Sequence, residues 1–312
     1  MANIMDYMDW RGDLSFEADE FNEVDNLILA QLAYVDFEGI VTAEENAPAV
    51  PLKEASGQFW EKNDKDEILA RVSMTKSAPF VMEKMAETKR FSNVKLRCYV
   101  NEIRDEEQFQ FSAVCVELPD DSLYVAFRGT DNTITGWRED FNMGYLSETP
   151  GQLRAVEYLN RAVTDKKQRV RVGGHSKGGN KAMYVSVLSD KVKECYAFDG
   201  QGFSYEFCEQ YKELILKNKH KINLICHSDD YVNILLINIA GNTKYVDRRI
   251  KNAIKAHCPN SMLLADENGN LWPGDQNTFM AMMNVFILYF MEHATPDERK
   301  FVFDTLGDIA AV

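Results

Sequence analysis

The sequence predicts an α/β fold, a mostly parallel, doubly wound sheet flanked by helices and preceded by a helical region. Three observations predict it. After residue 91 three β-rich runs follow one another, "VKLRCYVNEI", "QFQFSAVCVEL" and "SLYVAFRGT". From residue 150 helical and strand patterns alternate, and strands separated by crossover helices call for a parallel sheet. The glycine-dense stretch "RVRVGGHSKGGNKAM" falls on a strand-to-helix junction within that alternation.

In the first ninety residues the patterns are helical. Phe21, Val24, Leu27, Ile28, Leu32 and Val35 recur at the spacing of one buried helix face. From about 40 to 60 the chain reads as irregular, with Pro48 and Pro51. Residues 62–90 are charged and helix-compatible, with Ile68, Leu69, Val72, Met82 and Met85 expected inward. This region, 1–90, is expected to pack on a catalytic core spanning 91–312 and to wall part of its pocket, the whole forming one domain.

The second and third β-rich runs are joined by the turn-like "PDD". Beyond them the pattern predicts helix 150–163, strand 170–174, helix 178–190, strand 194–199, helix 204–216 and strand 222–227. Thr149-Pro150 with Gln152, and Thr295-Pro296 with Glu298, each combine a capping threonine, a first-turn proline and a reciprocal cap. "MLLADENGNLW" reads as a hairpin around Asn268-Gly269, followed by helices over 276–292 and 296–310. Within the first of these, "FMAMMNVFILYFM" is too short for a membrane span and reads as a buried helix.

The glycine-rich junction admits two chemistries. A phosphate loop needs G-x-x-x-x-G-K-[ST]. From Gly174 the spacing reaches Gly179, but Asn180 precedes Lys181 and Ala182 stands where a hydroxyl is required. The glycines also miss the dinucleotide spacing. Gly174-His175-Ser176-Lys177-Gly178 does fit G-x-S-x-G, between a strand and a helix as a nucleophile turn requires. The competing reading is a turn whose serine only caps the helix.

A serine hydroxyl becomes a good nucleophile when a histidine takes its proton and an acid orients that histidine. In the hydrolase order these follow as serine, acid, histidine. Of five histidines, His175 lies inside the turn and is expected to point elsewhere, His220 sits in the basic "KNKHK", and His293 ends a helix. His257 in "KAHCPNSM" is favoured as base, with His227 as the alternative. The acid is expected in "INLICHSDDYVN", as Asp230 or Asp229, with Asp199 in "CYAFDGQGF" a third candidate. An oxyanion hole would take the N–H of Lys177 and one from Thr130 or Asp131, after the turn at Gly129. The Lys177 side chain is expected to reach water or to greet an anionic substrate group.

"VAFRGTDNTITGWREDF", "GGHSKGGNKA" and "DYV" together resemble the class 3 lipase branch of the α/β hydrolases over about residues 94–275. The opening segment looks like the start of a bacterial family of predicted hydrolases of this kind. The resemblance implies the α/β-hydrolase fold, Ser176 as nucleophile, Asp230 as acid, His257 as base, and Thr130 with Lys177 as oxyanion hole. It also implies that Arg128 and Asp140 are structural partners beneath that hole. The expected activity is cleavage of carboxylic esters, small or lipid-like, through an acyl-enzyme. An acyltransferase, thioesterase or amidase using the same triad, or a binding protein on the same fold, are the alternatives.

Composition narrows the classes further. Formal net charge is −14, of which residues 1–60 carry −11. An acidic surface argues against nucleic acid and anionic membranes as partners. The short basic runs "TDKKQRVR" and "DRRIKNAIK" read as exposed helix ends or loops. No export signal or membrane span is read, so the expected location is cytoplasmic. Six scattered cysteines without a C-x-x-C pair read as buried thiols. No metal or organic cofactor is implied.

Overall fold

The computed structural model describes residues 1–310 other than 132, 166, 248 and 251. Its helical prelude comprises α1 (Ile4–Arg11), α2 (Glu23–Gln31), α3 (Leu52–Lys62), α4 (Lys65–Ala70) and α5 (Ala78–Glu87). The first two start at Asn3 and Asn22, whose side chains accept helix N–H groups while Asp6 and Asp25 return the bond. α3 falls where the prolines predicted irregular chain. Pro51 only ends a two-residue strand, β1 (Val50–Pro51), leaving Leu52 free to open the helix. Leu69 and Val72, expected inward, are exposed, because α4 stops at Ala70 with Ile68 as its buried residue.

Three antiparallel strands follow, β2 (Lys95–Arg104), β3 (Phe109–Glu117) and β4 (Leu123–Phe127). After α6 (Ile134–Asn142) and α7 (Pro150–Ala162) the sheet turns parallel. β5 (Val170–His175), α8 (Lys177–Leu188) and β6 (Val192–Phe198) come first. The helix expected over 204–216 is split at Tyr211 into α9 (Tyr205–Gln210) and α10 (Lys212–Asn218), before β7 (Ile222–His227). β8 (Asn242–Val246), not foreseen because its "NTKYV" is polar and half-exposed, closes the sheet. α11 (Ala253–Ala256), α12 (Thr278–His293) and α13 (Pro296–Ala310) complete the chain.

Among the described residues the eight strands lie side by side in sequence order. Both faces are covered, and successive residues serve opposite faces. Val114, Val116, Tyr124 and Ala126 pack against the N-terminal helices. Ala113, Cys115, Val125 and Phe127 pack against α7 and α8. This is the α/β-hydrolase fold, with the N-terminal helices forming one of the two outer layers.

α12 departs from its expected burial. Met291 is its one buried residue, while Phe279, Met282, Val285, Phe286 and Tyr289 are exposed. All-round apolarity argues for burial only if partners exist on every side. Here a single strip, Ile287, Phe290 and Met291, finds Met143 and Leu236. No described helix is long and apolar enough to cross a membrane.

Candidate functional site

The turn between β5 and α8 is built for close approach. A Cβ on Gly174 would stand 2.4 Å from the Gly178 carbonyl carbon, and one on Gly178 would stand 2.1 Å from the Phe127 oxygen. These are the two glycines of G-x-S-x-G, and any side chain there would push strand and helix apart. Between them Ser176 takes φ 58° and ψ −132°, a region costly for a residue with a Cβ. The turn is pinned by Ser176 N–H donating to Phe198 O at 2.9 Å and by Gly179 N–H donating back to Ser176 O at 2.8 Å.

His257, just after α11, lies with Nε2 2.9 Å from Ser176 Oγ. Its Nδ1 lies 2.6 Å from Asp230 Oδ2. The other oxygen of Asp230 accepts the N–H groups of Val232 at 2.6 Å and Asn233 at 2.8 Å, which fixes the carboxylate in the loop after β7. Burial alone would lower the pKa of His257. The Asp230 charge and hydrogen bond, with help from Asp199 and Asp140, overcome it and raise the value.

The other candidates are engaged elsewhere. Asp229 accepts from Asn277, the cap of α12. Asp199, at the end of β6 with φ 47°, accepts His227 N–H at 2.6 Å and Asn233 Nδ2 at 2.8 Å. Burial and the Asp230 charge hold its carboxyl well above the usual range. His227 is buried and its Nδ1 accepts Asp229 N–H at 3.2 Å.

His175 does not point away from the site. Its ring centroid is 4.6 Å from that of His257, and its Nδ1 is 3.0 Å from the Tyr34 hydroxyl. Burial, then the neighbouring His257 charge, hold its pKa well below the ordinary value. His175, Asp199 and His257 offer atoms within 4.8 Å of one another, a spacing a metal could use. Both nitrogens of His257 already face Ser176 and Asp230, so an ion would compete with that chain of bonds.

Lys177 differs from both expectations for its side chain. It is fully buried, donates to Gly136 O at 2.7 Å, and stands 3.1 Å from Glu139 and 3.8 Å from Asp140, all on α6. Lys181, one turn on, is also fully buried, 3.8 Å from Glu139 and donating to Gln110 O at 2.8 Å. Burial pulls its pKa down to about 8, against the pull of Glu139. Thr130 hydrogen-bonds Asp140 through its hydroxyl. Arg128 pairs with Asp131 at 3.2 Å rather than with Asp140, whose neighbours are Thr130 and Lys177. Of the two basic runs, residues 166, 248 and 251 lie outside the described residues. Arg171, expected exposed, is buried between Asp120 and Glu194 because it ends its run inside β5.

Ser176 and His257 face a cavity of about 210 Å³. Its apolar walls include Trp137, Phe141, Val232, Leu235, Leu236 and Phe303. Tyr34 and the segment Ser73–Thr75 close one side, so the N-terminal layer does wall the pocket. Tyr34 and Glu139 were not singled out from the sequence. Tyr34 was hidden in a helical apolar pattern, and Glu139 in the ordinary-looking "GWRED".

A family model described as Mbeg1-like matches residues 85–308, well over half of the chain. No curated protein matches. Among solved structures the chain is similar to the Lip2 lipase from Yarrowia lipolytica, at 15% identity and a TM-score of 0.38, covering 60% of this chain and 73% of that one. It is also similar to M37 lipase, at 17% identity and a TM-score of 0.35, covering 55% and 70%. The Rhizomucor miehei lipase in its propeptide complex matches at 14% identity and a TM-score of 0.39, covering 58% and 71%.

Proposed function

We propose that the chain, which belongs to the Mbeg1-like family, is a serine hydrolase that cleaves carboxylic esters through an acyl-enzyme on Ser176. The observation that carries this reading is the unbroken series Asp230–His257–Ser176, at 2.6 and 2.9 Å. Neutral His257 takes the proton of Ser176 as Oγ attacks the ester carbonyl, and Asp230 stabilises the imidazolium that forms. The same proton then passes to the departing alcohol. Water, deprotonated by His257, attacks the acyl-enzyme and frees Ser176.

The oxyanion of each tetrahedral intermediate would be held by the backbone N–H groups of Lys177 and Thr130. Lys177 opens α8, where the first N–H groups lack partners within the helix and the helix dipole favours negative charge. The cluster of Lys177, Glu139 and Asp140 would fix both donors, gripping the start of α8 on one side and the Thr130 side chain on the other. The apolar cavity supports an ester with an apolar acyl group, lipid-like rather than charged.

The test is labelling by a fluorophosphonate in wild type and Ser176→Ala, followed by ester hydrolysis over a range of acyl lengths. Wild type should label and turn over, and the variant should do neither, with kcat lowered by roughly 10⁴-fold or more. Equal labelling of the two proteins would remove Ser176 from its role.

A further inference from the structure

The β2–β3 ladder carries an irregularity at Cys98. Arg97 pairs with Cys115 and the next pair is Val100 with Ala113, so Cys98 and Tyr99 together face the single residue Val114. Direct partners in a ladder share a face, and the following residue normally turns to the other face. Cys98 does not. With φ 56° it stays among the residues packed around Cys115, while Tyr99 goes to the opposite core. A bulge of this kind re-aims a side chain, and here it puts Cys98 on the same face of the sheet as Cys115, in one cluster with it.

The surroundings suit a reactive sulfur. Arg97 Nη1 stands 3.3 Å from Cys98 Sγ. The Tyr158 hydroxyl ties the pair together, donating to Cys98 O at 2.6 Å and lying 3.4 Å from Cys115 Sγ. Cys98 lines a cavity of about 190 Å³ with Arg154, paired with Glu102, and Arg161, paired with Glu45. That space admits small polar molecules, a water taking about 30 Å³.

We propose that Cys98 and Cys115 form a redox-active dithiol that closes to a disulfide when Cys98 reacts with a hydroperoxide. The Cys98 thiolate attacks one peroxide oxygen, the O–O bond breaks, and hydroxide or alkoxide leaves and takes up a proton. Cys98 is then a sulfenic acid. The Cys115 sulfur attacks it, forming the S–S bond, and the sulfenic oxygen leaves as water with the Cys115 proton. Two thiols are oxidised and one peroxide is reduced. The neighbouring Cys115 thiol, then Arg97, pull the Cys98 pKa down against burial, while burial pushes the Cys115 pKa well up.

The test uses the full chain, reduced and freed of reductant, then exposed to hydrogen peroxide at neutral pH and capped with N-ethylmaleimide. Mass spectrometry of a non-reducing digest should show a Cys98–Cys115 cross-linked peptide lacking two hydrogens, reversed by dithiothreitol. In Cys115→Ser, dimedone should trap the Cys98 sulfenic acid. A wild-type digest with both residues still reduced, or with Cys98 over-oxidised beside an intact Cys115 thiol, overturns the proposal. This readout needs no variant to fold.

Discussion

Two buried ionic groups among the described residues are finished differently. Arg90 and Asp25, in the N-terminal layer, are both fully buried. All five N–H donors of Arg90 are used. Asp25 Oδ1 accepts at 2.7 Å and Oδ2 at 2.5 Å, and the carbonyls of Leu14, Asp19 and Glu20 take the rest at 3.0 to 3.3 Å. The second group sets two lysines, Lys177 and Lys181, against Glu139 and Asp140 beneath the serine turn. There Glu139 Oε2 meets Lys177 at 3.1 Å and Lys181 at 3.8 Å only as ion pairs, and Asp140 Oδ1 has no hydrogen-bond partner among the described residues. A fully satisfied group locks a loop to a helix. The under-satisfied one holds charge next to the place where a reaction would need it, and a buried network incompletely paired is a poor way to gain stability alone.

The largest effect is expected at the finished group. Arg90→Met leaves Asp25 buried and unpaired, and should lower unfolding free energy by about 3–5 kcal/mol in a urea titration. Activity of the molecules that remain folded should be little changed, since Arg90 touches only the N-terminal layer. Lys177→Met should cost about 3 kcal/mol, because Lys181 stays near Glu139. It should also lower kcat by roughly 10–100-fold as the start of α8 relaxes away from α6. Adding Glu139→Gln to Lys177→Met removes the stranded charge and should recover about 1–2 kcal/mol. No recovery would mean that the two side chains act independently.

The pH profile sharpens the contrast. In the proposed mechanism His257 must be neutral to accept the serine proton, and its pKa is raised. Ester turnover should therefore fall as pH drops, with a midpoint above the ordinary histidine value of about 6.5. In Asp230→Asn the midpoint should move down, together with a large loss of kcat. The smallest effect is expected at the exposed pair Lys65–Glu83, 2.6 Å apart with side chains 52% and 31% exposed. Lys65→Ala should change stability by less than about 1 kcal/mol.

The serine turn was legible in the sequence because its glycines are dictated by backbone contact, which leaves a fixed spacing in the letters. The parallel strands β5, β6 and β7 were legible for a similar reason, being short apolar runs between helical patterns. β8 was not, because an edge strand with one neighbour carries polar residues. Lys177 shows a different limit. A lysine in a first helical turn ordinarily reaches water, and only the fold brings Glu139 and Asp140 of α6 over it. The apolar letters of α12 say nothing of how many sides will find a neighbour.

The sequential order of the strands has a consequence for synthesis of the chain. Each strand from β2 onward finds its partner already made, so the sheet can be laid down in one direction as the chain emerges, with few long loops to close. The serine appears with strand five, its carboxylate only after strand seven, and its histidine beyond strand eight. In the proposed mechanism, a nascent chain stopped between residues 176 and 257 would carry Ser176 without His257, and ester cleavage would await completion of the sheet.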